Sequence, residues 1–348
     1  MTSPVPPAAP PATPAYVSDI RRQPESLQHL LDSPFDAAAL ALLRRLRRFE
    51  RVVLTGMGAS LHSSYPAFLA LAAAGLPVWQ VEASELLGAA GGLVTPGTLL
   101  WITSQSGRSA EIAALLERLP APRPAVLGLT NDAASPLAEA ASAVIELHSG
   151  AEHAVGTRSY LNSLAAHARA TAVALDRELA AEVSEAPSRL ADYLSRWDEH
   201  IAAWDAAVRE QILFAVGRGA SLAAVRTGAL IIKEAAKTPI EAMSAPQFRH
   251  GPLEMADRRT CVIVLPGAPA DVPLNERLAA DLAAFGANAV TLTSSRDGSG
   301  PCLPEFGSEQ AIPLGEILPF QLLSVVLARR LGCEPGAFRQ ISKVTTTL

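Results

Sequence analysis

An α/β fold built twice in tandem, each copy a three-layer αβα sandwich around a parallel sheet, is the architecture the sequence predicts. Three observations predict it: short, uniformly apolar strands, their alternation with helix-spaced segments, and a second passage that repeats the first at a constant offset. Val-, Leu- and Ile-rich strands without polar alternation belong in a sheet covered on both faces.

The chain has 348 residues, more than the roughly 100–200 typical of one domain. Hydrophobic residues make up 49% and charged residues 18%, enough apolar surface for packed cores. The net charge of −5 offers no basic face for nucleic acid. Cys261, Cys302 and Cys333 are odd in number and widely spaced, which points to a reducing, cytoplasmic setting and no disulfide scaffold. No uninterrupted apolar run reaches the roughly 18 residues of a membrane span. Residues 1–15 are Pro/Ala-rich, lack the basic and apolar regions of a signal peptide, and read as a disordered tail.

In order, the segments Tyr16–Leu31, interrupted by Pro24, and Phe35–Arg48 read as helices. Arg51–Gly56 is the first strand, followed by the loop to Ser60 and a helix over Leu61–Ala74. Strands at Pro77–Val81, Leu99–Thr103, Ala125–Thr130 and Ala143–Leu147 follow, with a helix over Pro136–Ala141 and a closing helix over Ser159–Leu179. Glu182–Arg209 reads as a linker helix. Phe214–Ser221 then echoes Val53–Ser60 at an offset of 161, the difference between Gly217 and Gly56. Cys261–Leu265, Ala289–Thr293 and Ala311–Leu314 match the third, fourth and fifth strands, and Ile317–Leu331 the closing helix. The domain expectation is therefore a first unit over 16–182, a linker over 183–209 and a second unit over 210–348.

The third strand runs into Ser104-Gln105-Ser106-Gly107-Arg108-Ser109 and then a helix. Helix-start amides carry partial positive charge and lack backbone acceptors, and three serine hydroxyls at that point suit a phosphate. A Ser-rich N-cap turn on an ordinary βα unit reads the same way. The nucleotide P-loop is excluded because no Gly-Lys-Ser/Thr follows, and Gly56-Met57-Gly58 lacks the third glycine of a dinucleotide fingerprint. The second copy has Leu-Pro-Gly-Ala-Pro in place of the serines, so one phosphate site per chain is expected.

Lysine occurs at only three positions, Lys233, Lys237 and Lys343, among 29 basic residues. Unlike arginine, lysine can become a neutral amine, so Lys343, in a β-branched C-terminal segment, is a candidate for Schiff-base chemistry. Glu234 falls on a helix over Ala223–Ala236, where a partly buried carboxylate can shuttle a proton. His250 precedes Gly251-Pro252, which forces a loop, and imidazole titrates near neutrality.

Ser104-Gln105-Ser106-Gly107, Glu234 sixteen residues before His250-Gly251-Pro252, and Ser342-Lys343-Val344-Thr345 together resemble the double sugar isomerase (SIS) family. That family includes the isomerase half of glucosamine-6-phosphate synthase and SIS-type glucosamine-6-phosphate deaminases. The resemblance runs from about Ile20 to Leu348 and implies two tandem SIS domains with flavodoxin-like sheets. It implies that Ser60, Ser104, Gln105, Ser106, Ser109 and Val155 bind the sugar phosphate. It further implies that Glu234 moves a proton between C1 and C2, that His250 opens the ring from the other subunit of a homodimer, and that Lys343 forms a Schiff base. No cofactor and no metal are implied.

Two departures stand out. Ile231 occupies the position of a synthase lysine tied to the amino group, and Arg158 replaces a lysine in the segment Glu152–Ser159. No glutaminase domain is expected ahead of residue 16. The expected function is conversion of an amino-sugar 6-phosphate, such as glucosamine 6-phosphate, to the ketose phosphate with loss of ammonia. Alternatives are a synthase-like transaminase, a deglycase of sugar conjugates and a non-catalytic sugar-phosphate sensor.

Overall fold

Each half of the chain is organised around its own parallel sheet in the computed structural model, which describes residues 13–209, 211–294, 300–345 and 347. The expectation of a disordered tail therefore falls almost wholly outside the described residues. The first half runs α1 (Ala15–Arg21), α2 (Gln23–Asp32), α3 (Ala37–Arg44), β1 (Arg51–Gly56), α4 (Gly58–Ser63), α5 (Tyr65–Ala73) and β2 (Val78–Glu82). It continues through α6 (Ala83–Leu86), β3 (Thr98–Thr103), α7 (Ala110–Glu117), β4 (Ala125–Thr130), α8 (Pro136–Ala140), β5 (Ala143–Glu146) and α9 (Arg158–Ala174). Two helices follow, α10 (Ala181–Ser195) and α11 (Trp197–Ala207). The second half is β6 (Ile212–Gly217), α12 (Leu222–Ala236), β7 (Ile240–Ser244), α13 (Ala245–Arg249), β8 (Thr260–Val264), α14 (Val272–Ala284), β9 (Asn288–Thr291) and α15 (Ile312–Arg330).

The first sheet has the order β2-β1-β3-β4-β5 and the second β7-β6-β8-β9, with every pairing parallel. One face of each sheet joins a single continuous core, in which Leu54 and Trp101 of the first half and Ala215 and Ile263 of the second take part. The opposite faces are covered separately. Val53, Leu100 and Ile102 pack with α7 and α8, and Phe214, Val216 and Val262 pack with α13 and α14. Apolar burial on both faces, at ~1.5–3 kcal/mol per Leu or Phe side chain, explains why the strands lack polar alternation.

β1 and β4 coincide with the strands read from the sequence. Elsewhere local chemistry moves the boundaries. The helix expected over Leu61–Ala74 breaks at Ser64, since Pro66 takes the first turn of α5. The expected closing helix stops at Ala174, with Asp176 left-handed just beyond it. The expected single linker helix is α10 and α11, broken at Arg196, and α10 buries Val183, Ala186, Leu190 and Tyr193.

The fifth strand expected at Ala311–Leu314 is not a strand. Ala311 is the N-cap of α15 and Pro313 lies in its first turn, while a lone bridge between Thr293 and Cys302 extends the sheet edge. A four-residue apolar run does not distinguish a strand from the start of a buried helix. β7, the counterpart of β2, carries no strand signal in the sequence, because Ile240-Glu241-Ala242-Met243-Ser244 is an edge strand of mixed polarity. α15 is long and apolar enough to cross a membrane by composition, yet 94% of its most apolar window is buried within the fold. The three cysteines are free thiols.

Candidate active site

The candidate site lies at the C-terminal edge of the first sheet. β1 and β3 end unusually close together: a Cβ on Gly56 would lie 2.6 Å from the Thr103 carbonyl oxygen. The loops after the two strands, residues 57–60 and 104–109, thereby become neighbours. Ser104 is buried and its amide donates to the Leu129 carbonyl (3.0 Å), while the Gly107 amide donates back to the Ser104 carbonyl (3.1 Å). The turn continues as the Arg108 amide donates to Ser106 Oγ at 3.2 Å. Ser109 takes the N-cap position of α7, but its hydroxyl caps no amide. Arg108 points across the rim to Asp132 (2.9 Å) and the Ala134 carbonyl (2.8 Å). The close approach that Gly107 permits is made by the chain itself. At φ +62° its Cβ would lie 2.2 Å from Ser135 Oγ.

The C-terminal segment crosses this edge. It is pinned first at the end of α12, where the Gly336 amide donates to the Ala235 carbonyl (3.2 Å). There Lys237, left-handed at φ 55°, donates from Nζ to the Glu234 and Ala337 carbonyls. Lys237 is thus a structural clamp. Further on, Lys343 Nζ donates to Glu152 Oε2 (3.2 Å) and to the Ala154 carbonyl (3.0 Å). The Thr345 carbonyl then accepts from the Ala110 amide at 3.0 Å, on the first helical residue of α7.

Glu152 was not singled out in the sequence, although it is the only carboxylate between His148 and Arg158. Its side chain is fully buried. Oε1 accepts from the Thr157 amide (2.9 Å) and hydroxyl (3.2 Å) and the Ser159 amide (3.2 Å), and Oε2 from the Ser159 hydroxyl (2.6 Å). Burial pushes this carboxyl upward. The Lys343 ammonium and the hydroxyl and amide donors outweigh burial and hold it below the usual carboxylate range. Val155, three residues on, is 1% exposed and its side chain belongs to the core. Arg158 is also buried. It bonds Asp19 (2.7 Å) and the Ser149 and Ala151 carbonyls, tying α1 to this loop.

Glu234 arrives from the second half. α12 lies on α4, with Leu230 Cδ2 3.3 Å from where a Cβ on Gly58 would be. One turn further along the same face is Glu234. It is half-buried, and burial raises its pKa against the pull of Lys237 and Lys343. Lys233 is exposed. Ser60 is half-buried near the start of α4. His250 is exposed at the C-cap of α13. β7 separates His250, at the C-cap of α13, from Glu234, near the end of α12. Among the described residues no group of three or more His, Cys, Asp or Glu is placed to hold a metal ion.

Twin parallel sheets that share one order over four strands, with a hydroxyl-bearing βα turn and a lysine-bearing tail across the first, define a doubled α/β protein. A family model described as the SIS domain matches residues 45–175 and 208–299, and the chain belongs to that family. It is 24% identical over 341 residues to the glutamine–fructose-6-phosphate aminotransferase (isomerizing) of Sulfurisphaera tokodaii, covering 95% of this chain and 56% of that one. It is 26% identical over 328 residues to an Arabidopsis thaliana enzyme of the same name, covering 88% of this chain and 48% of that one. The chain spans about half the length of these curated relatives. Among solved structures, its fold is similar to the C-terminal domain of the Francisella tularensis glucosamine-fructose-6-phosphate aminotransferase, with TM-score 0.81, 20% identity and coverage of 94% and 99% of the two chains. It is also similar to the Thermotoga maritima glucosamine-6-phosphate deaminase, with TM-score 0.75, 17% identity and coverage of 96% and 100%.

Proposed function

We propose that the chain is a phosphosugar aldose–ketose isomerase whose substrate is an amino-sugar 6-phosphate, with ammonia released. The observation that supports the reading is the course of the C-terminal strap, which passes the end of α12, where Lys237 ties Ala337 to the Glu234 carbonyl, and then the serine turn, where the Thr345 carbonyl meets the Ala110 amide. Lys343 lies on this strap, two residues before Thr345, and is held by Glu152 and the Ala154 carbonyl. In this reading Ser60, Ser104, Gln105, Ser106, Ser109 and the α7 amides hold the phosphate. The main chain at Val155 faces the sugar.

His250 of a second subunit in a homodimer opens the ring. Glu234 takes the C2 proton of the open aldose and returns it to C1, with its raised pKa suited to both roles. The C2 amine becomes an imine, and water hydrolyses it to the ketose with ammonia leaving. The net change is one water consumed and one ammonia released, with no redox partner. Lys343 hydrogen-bonds the open C1 carbonyl; as a nucleophile it can instead attack the C2 imine, expelling ammonia and forming a C2 Schiff base that water hydrolyses to the ketose and free lysine. Ile231, where the resembled synthases carry lysine, is 1% exposed in the core and offers no amine, which favours deamination over amination.

The test is ammonia release from glucosamine 6-phosphate, run beside hexose-phosphate isomerisation. Turnover that falls about 10²–10⁴-fold in Glu234→Gln with binding retained supports the reading. A wild type that binds the sugar phosphate but releases no ammonia and isomerises nothing is a sensor instead.

A further inference from the structure

The two halves use one plan, and Ser221 follows β6 at the same offset, 161 residues, as Ser60 follows β1. In the second half this hydroxyl is taken. Ser221 Oγ donates to Glu316 Oε1 at 2.9 Å, and the Gly267 amide donates to the same oxygen at 3.2 Å. Gly267, left-handed at φ +73°, belongs to the loop after β8, the counterpart of the serine turn after β3. Glu316 comes from the first turns of α15, the helix that closes the half. It is 1% exposed, and Oε2 has no hydrogen-bond partner.

A buried carboxyl without a cation is costly. Here burial pushes the acid up to about 8, relieved only in part by Ser221 and Gly267, and the nearby Asp271 raises it further. Its two donors come from the loops after the two central strands, where the first half offers hydroxyls and amides. Without Glu316 those donors would themselves be buried and unsatisfied.

We propose that Glu316 is an internal stand-in for a ligand: its neutral carboxyl fills the donor cradle of the second half and limits each chain to one phosphosugar site. Replacing it with a small residue opens a latent site for a small oxyanion such as formate or inorganic phosphate. The count of one per chain rests on the phosphate reading of the first half. The occupied cradle does not.

The test uses the full chain with the first turn disabled by Ser104→Ala and Ser106→Ala, comparing Glu, Gln and Ala at position 316. Formate and phosphate are the probes, titrated by calorimetry and thermal shift against chloride. With Glu or Gln present, no saturable binding is expected. Glu316→Ala is expected to gain one site per chain and an anion-dependent rise in Tm. If Glu316→Ala is unfolded in chloride, recovery of its circular dichroism in formate or phosphate, but not chloride, supports the proposal. A folded Ala variant that binds neither probe, an unfolded one that neither probe rescues, or saturable binding with Glu316 in place overturns it. Failure of the wild type to bind glucosamine 6-phosphate would sink the functional reading and leave this result untouched.

Discussion

The ammonium of Lys343 lies 3.2 Å from Oε2 of Glu152, a residue 191 positions earlier, and that contact fastens the end of the chain across the edge of the first sheet. Lys343 retains 22% side-chain exposure whereas Glu152 has none. Glu152 is therefore the fixed partner and the lysine the movable one. Glu152→Gln keeps the amide-facing oxygen and removes the charge. Because the freed lysine can turn to water, the expected global loss is about 1–2 kcal/mol, below the ~3–5 kcal/mol of an ion stranded in a core. The expected signature is faster hydrogen exchange at Ala110 and faster proteolysis beyond Ala337. In the wild type this contact is complete above the ordinary carboxylate range and is lost as pH falls through the depressed Glu152 value. In the variant the tail is loose at every pH.

As the proposed proton carrier, Glu234 is expected to set the acid limb of turnover. Burial raises its carboxyl, and Lys237 and Lys343 only partly offset it. As a proton acceptor it works ionised, so the acid limb of kcat/KM is expected above the ~4.3 of an exposed glutamate. Lys343→Met removes one of the two counter-charges and should move the limb further up. A limb at or below the exposed value, or a downward shift in that variant, would take Glu234 out of the role.

Gly107 and Ser135 make a paired prediction. A Cβ at 107 would sit 2.2 Å from Ser135 Oγ and 2.5 Å from Ser135 Cβ, at a φ of +62°. Gly107→Ala therefore combines left-handed strain of ~1–2 kcal/mol with overpacking of ~1–3 kcal/mol, and the serine turn should lose sugar-phosphate binding. Ser135→Gly removes both clashing atoms and should restore most of the loss, leaving the strain, the 3.1 Å approach to Thr130 Oγ1 and the few tenths of a kcal/mol of the lost α8 cap to Ala138. Gly286→Ala, at φ +83° with nothing within 4 Å of its Cβ, is the control that carries strain alone. Denaturant melts of the four proteins measure this.

Legibility in the sequence followed locality. The central strands β1 and β4 were readable to the residue because both faces are buried and their apolar runs are unbroken. β7 escaped because an edge strand of Ile-Glu-Ala-Met-Ser carries no clean period, and the run at Ala311 misled because α15 is buried on nearly every side and shows no polar face. At the site, the serine turn before α7 and the helix carrying Glu234 were legible as elements from residue type and spacing. Glu152 was not, since its meaning comes from Thr157, Ser159 and a lysine near the far end of the chain. Arg158 looked like a substituted ligand, and only its bond to Asp19 shows a structural tie.

The pH dependence of stability separates Glu316 from these groups. Its folded value of about 8 lies above the ~4.3 of an unfolded glutamate. The folded state therefore binds the extra proton in this interval. The stability this supplies is whole below about 4.3 and is lost as pH rises towards 8. Glu316→Gln copies the neutral acid in shape and keeps an oxygen for Ser221 and Gly267. It should be more stable than the wild type at pH 8, near equal at pH 5, and flatter between. Parallel Tm curves for the two proteins would show that Glu316 is not held neutral.

The placement of His250 makes the strongest demand on the functional reading. It is exposed at the C-cap of α13, beyond β7, while Glu234 lies on α12 before that strand. If a second copy supplies the imidazole, Glu234→Gln and His250→Ala variants are each nearly inactive as homodimers. Denatured together and refolded, they form mixed dimers in which one site has both mutations and the other has neither. With random pairing half of the dimers are mixed, and each has one intact site, so activity should return to ~25% of wild type. A site made within one chain gives no recovery at any mixing ratio. A plot of activity against mixing ratio, peaking at equal proportions, distinguishes the two without knowledge of the natural sugar, provided any substrate supports a measurable rate.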